Sequence, residues 1–164
     1  MRTIKFKGKN LMNGQWVSGD LAHSLDGKLN ILGFVEEESK VGFTGAHRID
    51  PSSVGQFTGF LDKNGKEIYE GDVLRSDEYP FSCLEDGKRD NYFAVVYFYE
   101  EYARFVTVTI KNPESKVCGI SEGNHGDVSR EEMKQFEVVG NIHEEKWQQY
   151  GEYFKTEEKE ADND

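Results

Sequence analysis

With 164 residues, the chain can bury roughly 70% of its unfolded surface, enough for a core that needs no disulfide or metal staple. The formal charge is −11 and uneven: residues through Pro113 carry 14 basic against 17 acidic side chains, the remainder 6 against 14. An acidic surface opposes general binding to nucleic-acid phosphates, no apolar run is long enough to span a bilayer, and Met1-Arg2-Thr3-Ile4-Lys5 lacks the apolar stretch of a signal peptide.

Turn residues and strand formers then alternate along the chain. Ile4 to Lys7, the pair Asn13-Gly14, and Gln15-Trp16-Val17 predict a hairpin. With Ile4 and Phe6 pointing inward, Lys5, Lys7 and Lys9 share the other face. That face is expected to be solvated, its lysines discouraging edge pairing, with a local nucleic-acid contact as the alternative. A second turn is expected around Asp26-Gly27-Lys28. Glu36-Glu37-Glu38 then open a polar connection ending near Arg48-Ile49-Asp50-Pro51. Pro51 fixes its own φ and biases Asp50 toward an extended conformation, so it marks entry to a second unit.

Val54 to Phe60 reads as a strand punctuated by glycines, and Asp62-Lys63-Asn64-Gly65-Lys66 as a tight turn. Glu67-Ile68-Tyr69 returns, Glu70-Gly71-Asp72 redirects the chain, and Val73-Leu74-Arg75 starts another strand. Tyr92 to Tyr99 is apolar or aromatic on both faces, which predicts burial on both sides or packing against another copy. Phe105 to Ile110 pairs with it, placing Val106, Val108 and Ile110 on one face, and Asn112-Pro113 ends the strand. Ser129-Arg130-Glu131-Glu132 is a capping box for one or two helical turns through Gln135. Phe136 to Ile142 is the last strand, and Trp147, Tyr150 and Phe154 recur at helical spacing. Lys155 to Asp164 is charged throughout and expected to fray.

Few residues point to chemistry. Cys83 and Cys118 lie far apart without C-x-x-C spacing, which fits a reducing, cytoplasmic compartment and gives neither a disulfide framework nor a zinc site. Gly123-Asn124-His125-Gly126-Asp127 resembles the Gly-Asn-His signature of metallophosphoesterases, but no Asp-x-His precedes it and no Gly-His-x-His follows. A two-metal site needs several converging ligands, so the segment is expected to be a polar loop. His23, His47, His125 and His143 are scattered. There is no Gly-x-Ser-x-Gly elbow, Walker loop or Gly-x-Gly-x-x-Gly. No catalytic residue, metal ligand or cofactor site is therefore assigned. Tyr92, Phe93, Tyr97, Phe98, Tyr99, Tyr102 and Phe105 are expected mostly in the core, with Tyr99 and Tyr102 exposed at the turn beside Glu100 and Glu101.

Several blocks resemble the YopX protein family of bacteriophages and prophages. They are Ile4 to Lys9, Asn13-Gly14-Gln15-Trp16-Val17, Ile49-Asp50-Pro51 with Val54 to Gly59, Asp62 to Val73, and Glu137 to Glu144. The resemblance implies a phage-derived protein of the bacterial cytoplasm, mainly β, whose second half is similar to an SH3-type barrel. It carries no established molecular function and no catalytic residues. Joined to the reading of the residues, it gives a β-rich subdomain over 1–50, a small SH3-like barrel over 51–145, and a short helix with an acidic tail over 146–164.

Three function classes follow. The first is a non-catalytic module binding a host or phage protein through exposed aromatic turns or barrel edges, with self-association as a further expectation. The second is a nucleic-acid role, either direct through Lys5, Lys7 and Lys9 or inverse, the acidic last third imitating DNA. The third is a small metal-dependent hydrolase using His125 with carboxylates.

Overall fold

The structure is a computed structural model and describes residues 3–37, 40–77, 92–111, 120 and 122–153. Among these residues, eleven strands form two antiparallel sheets. They are β1 (Phe6–Lys9), β2 (Trp16–His23), β3 (Leu29–Glu37), β4 (Lys40–Arg48), β5 (Gly55–Leu61), β6 (Glu67–Tyr69), β7 (Asp72–Ser76), β8 (Tyr92–Tyr99), β9 (Arg104–Lys111), β10 (His125–Asp127) and β11 (Glu137–Asn141). The six-stranded sheet has the order β4-β3-β2-β1-β5-β6, the five-stranded sheet β10-β9-β8-β7-β11. One helical turn, α1 (Arg130–Met133), and 3-10 helices at Pro51–Ser53, Glu100–Tyr102 and Glu145–Tyr153 complete the described elements.

The molecule is thus mainly β, but among the described residues neither sheet closes into the barrel expected over 51–145. The reason is non-local pairing. β5 hydrogen-bonds to β1, with Phe6 opposite Gln56 and Lys7 opposite Gly55, so β5 and β6 extend the sheet begun by residues before Pro51. Gly55 also lets the backbone of Glu70, between β6 and β7, come close to β5, because a Cβ there would sit 2.2 Å from the Glu70 carbonyl oxygen. The five-stranded sheet is left open, with β10 and β11 at its edges.

The local turns form where the sequence places them. Ser24 to Lys28 closes the β2–β3 hairpin, and the Asp62 carboxylate accepts the amides of Asn64 at 2.8 Å and Lys66 at 2.9 Å. The β1–β2 connection is longer than a two-residue Asn-Gly turn: the Asn10 amide donates to the Gln15 carbonyl at 2.9 Å and the Gly14 amide to the Asn10 carbonyl at 2.8 Å. Asp50 is extended (φ −69°, ψ 115°), and its carboxylate caps the Pro51–Ser53 turn by accepting the Ser52 amide. The Ser129 hydroxyl accepts the Glu132 amide, and α1 ends at Met133 rather than Gln135.

Two expectations fail. Residues 36–37 and 40–48 are not a polar connection: β3 runs through Glu37 and pairs with β4, from Asn30 opposite Arg48 to Glu37 opposite Lys40. Three glutamates and the glycines of β4 hid a strand whose pairing partner is its immediate predecessor. Gly123 to Asp127 is not wholly a loop either, since His125–Asp127 adds a short edge strand to β9.

Hydrophobic packing explains the two-sided character of Tyr92 to Tyr99. Tyr92, Ala94 and Val96 pack with Ile68, Leu74, Met133 and Phe136 on one side of β8. Val95 packs with Val73 and Ile110 on the other, where Phe93, Trp147 and Tyr150 close over it. Both faces of the strand from Tyr92 to Val96 are covered within the chain, while Tyr97 to Tyr99 stay partly exposed. Trp147 and Tyr150 lie three residues apart on the 3-10 helix, as a three-residue turn requires to bring them to one side. Cys83, Cys118, Asn112-Pro113, Phe154 and the acidic tail 155–164 lie outside the described residues.

Candidate functional site

Two places gather chemistry-bearing side chains: a cleft between the sheets and the tip of the β8–β9 hairpin. The cleft, about 320 Å³, is lined by Lys7 and Trp16 from the first sheet, Asp72 and Asn141 from the second, and Glu67 and Tyr69 of β6. Asp72 is fully buried and saturated. Its carboxylate accepts from the Tyr69 amide at 2.9 Å, the Asn141 side-chain amide at 3.1 Å and the Lys7 ammonium, which it also pairs with electrostatically. The Lys7 ammonium lies 5.1 Å from the centre of the Trp16 ring and 5.0 Å from that of Tyr69, so its charge has both a counter-ion and two ring faces.

The neighbouring lysines are also engaged. Lys5 pairs with Glu67 and lies 5.2 Å from the centre of the Phe57 ring. Lys9 donates to the His143 carbonyl at 2.9 Å and sits 5.7 Å from the Trp16 ring. The solvated face expected for Lys5, Lys7 and Lys9 is therefore replaced by contacts within the first sheet for Lys5 and across to the second sheet or the segment after it for Lys7 and Lys9. β1 is a central strand between β2 and β5, and its other face, at Gly8, meets Ile31 and Ile49. A central strand needs no edge-guarding charge, and lysine stems can bury while their ammonium groups find partners. Ile4, expected inside, precedes the strand and is 59% exposed.

Burial and the Glu67 carboxylate, which accepts from the Tyr69 hydroxyl at 2.6 Å, hold that hydroxyl's pKa well above the ordinary tyrosine range. His143 is half-buried beside this cleft. Burial, then the Lys9 charge, hold its imidazole below its ordinary pKa, while Asp50 acts in the opposite sense and Lys7 adds to the lowering. The cleft is thus a network of mutually satisfied groups joining the two sheets. Among the described residues no three His, Cys, Asp or Glu side chains converge as metal ligands. His125 stands apart from the cleft, on the exposed edge strand β10.

The hairpin tip is the opposite case. Tyr97 and Tyr99 share a face of β8, their ring centres 6.0 Å apart, and Tyr102 lies 5.3 Å from Tyr99. The His125 ring meets Tyr97 at 6.0 Å and Tyr99 at 5.2 Å, edge to face in both contacts. Tyr102 is 62% exposed and Tyr99 half-buried, so of the two expected at the surface, Tyr102 is fully so and Tyr99 in part. The turn places Ala103 in the left-handed region (φ 48°, ψ 44°), a conformation that costs an L-residue about 1 kcal/mol. Glu100 and Glu101 are exposed, and Glu101 accepts from the Tyr99 hydroxyl at 2.8 Å. Arg104 pairs with Asp127 at 2.9 Å, and its guanidinium carbon lies 5.7 Å from the centre of the Tyr102 ring.

Sequence reasoning missed Asp62 and Asp72 as buried carboxylates. Asp62, besides forming its own turn, accepts the Val138 amide at 2.9 Å and ties that turn to β11. The available signal was the Asx pattern Asp62-x-Asn64-Gly65, which predicts the turn but not the partner across 76 residues of sequence.

No helix among the described residues is long and apolar enough to cross a membrane. No curated protein matches the chain. A solved structure similar to this one, protein EF1440 from Enterococcus faecalis, shares 16% identity with a TM-score of 0.46, over 87% of this chain and 95% of that one. The family model described as YopX protein matches residues 5–146, a span holding both sheets and nearly every residue of the cleft and the tip, and the chain belongs to the YopX family.

Proposed function

We propose that this protein is a non-catalytic, phage- or prophage-derived accessory module of the bacterial cytoplasm that binds another protein at the tip of the β8–β9 hairpin. The observation that carries this reading is the ring cluster of Tyr97, Tyr99, Tyr102 and His125, in which Tyr102 and His125 are exposed, Tyr97 and Tyr99 are half-buried, and the rings meet one another tilted or edge to face. Tyrosine is enriched at protein interfaces because a rigid ring contributes contact area at little entropic cost, and exposed ring clusters mark such surfaces. The cleft, by contrast, has its Lys7, Asp72 and Glu67 charges already paired. Direct contact with nucleic acid through Lys5, Lys7 and Lys9 loses its support, since Glu67, Asp72 and the His143 carbonyl already hold them.

The test is tagged capture from bacteria carrying the corresponding phage or prophage, with mass spectrometry of what is retained. The wild-type protein is expected to retain a defined host or phage protein that the double variant Tyr99→Ala/Tyr102→Ala releases. Retention unchanged by the double variant, or no specific partner for either protein, overturns the reading.

A further inference from the structure

Resting on that reading, we propose that the segment held at the hairpin tip is cationic and presents arginine, its guanidinium stacked on the Tyr99 and Tyr102 rings and paired with Glu100 and Glu101. The first argument is charge. Arg104 and Asp127 neutralise each other, which leaves the two glutamates, neither of which makes an ion pair among the described residues. They belong to a chain of net charge −11, so the surface attracts cations both locally and at long range. The raised pKa of the Tyr99 hydroxyl, caused first by its hydrogen bond to Glu101, reflects the same negative charge beside the rings.

The second argument is that the ring already accepts this group in cis. The Arg104 guanidinium lies over Tyr102 at cation–π distance. Tyr99 stands 5.3 Å from Tyr102 at an interplanar angle of 56°, and its hydroxyl donates to the Glu101 carboxylate, so ring and carboxylate are neighbours here. A flat, weakly hydrated guanidinium can stack on one ring and direct its fork of N–H donors to adjacent carboxylates. An ammonium, compact and strongly hydrated, can do only one of these well.

The experiment titrates the full chain with three capped peptides of the same length and reads the aromatic NMR signals of Tyr99 and Tyr102. One carries two arginines, one two lysines and one two glutamates, each pair separated by glycine. The arginine peptide is expected to shift both rings saturably, more tightly than the lysine peptide, with affinity falling as salt is raised. The glutamate peptide should leave the rings unmoved. Glu100→Gln/Glu101→Gln, which alters exposed groups only, should weaken the arginine peptide by about threefold. Equal response to all three peptides, ring signals unmoved by the arginine peptide, or full affinity in the glutamine variant overturns the proposal. The binding-module reading fails separately, when cellular capture does not depend on Tyr99 and Tyr102. A tyrosine-dependent partner whose cross-linked segment is neutral or acidic removes arginine and leaves the module.

Discussion

The inter-sheet cleft and the hairpin tip both set aromatic rings beside charged groups, yet they use them in opposite ways. In the cleft, Asp72 is inaccessible to water and must find every partner within the protein, and it does so from β1, β6 and β11 at once. At the tip, Glu100 and Glu101 are exposed, Glu101 being held only by the Tyr99 hydroxyl beside it, and the Tyr102 ring is 62% exposed. Burial compels commitment, because an unpaired charge or polar group inside the protein is costly, whereas exposure leaves side chains free for a partner. A cluster of charges and rings in this fold is therefore to be judged by what its groups are already bound to.

The sharpest way to break the comparison is to remove the cleft's cation. Lys7→Met strands the buried Asp72 carboxylate and is expected to cost about 3 kcal/mol, measured by chemical unfolding. Adding Asp72→Asn should recover part of that loss, since the remaining neutral oxygen still accepts from the Tyr69 amide. If Lys7→Met proves nearly neutral, the cleft is not the tie between sheets described above. Next in size is Gly140→Ala. Its Cβ would sit 2.4 Å from Trp147 Nε1 and 2.9 Å from Glu144 Oε2, and the Trp147 ring is itself packed on Phe93 at 5.4 Å. Overpacking of this kind costs about 2 kcal/mol, and the displaced indole should change the tryptophan fluorescence.

How much of this was legible in the sequence depended on range. Turns that Asp, Asn and Gly dictate locally, at Asp26-Gly27-Lys28 and Asp62 to Lys66, formed where their chemistry requires. So did β8, whose bounds Tyr92 and Tyr99 coincide with the run of strand formers, and the Ser129 cap. Tyr102 was legible as exposed because two glutamates precede it at a turn. The pairing of β5 with β1 was not, because no local propensity distinguishes a strand that extends one sheet from a strand that closes another. The same holds for Lys7 and Asp72: alternation gives the face of a strand, but not whether that face meets water or a second sheet. Gly140 fell inside the expected last strand, Phe136 to Ile142, with nothing local to mark it. Its reason, the edge of Trp147, needed coordinates.

A smaller effect concerns His143, at the border of the cleft. Its folded-state pKa lies below the ordinary value of 6.5 through burial and then the Lys9 charge, so the unfolded chain binds the proton more readily. Stability contributed by the neutral imidazole is fully present above pH 6.5 and is lost as the pH falls through the window between the unfolded and the depressed folded pKa. His143→Gln should flatten the stability profile in that window and leave the profile above it parallel to wild type. An unchanged slope would show that the imidazole is solvated in the folded protein.

The smallest expected effect on stability is at the tip, and its smallness is the point of the measurement. Tyr102 is 62% exposed, and the contacts that hold it are the neighbouring Tyr99 ring and the Arg104 guanidinium, both at the surface. Removing an exposed ring changes stability by no more than about 0.5 kcal/mol, so Tyr102→Ala should unfold at nearly the wild-type denaturant concentration. The same substitution should weaken capture of the partner, because it removes the most exposed ring of the proposed binding surface. A variant that keeps its stability and loses its partner separates the two regions cleanly. A variant that loses stability as Lys7→Met does would mean that the tip, like the cleft, is committed to holding the protein together, and the tyrosine cluster would then be packing rather than a surface for binding.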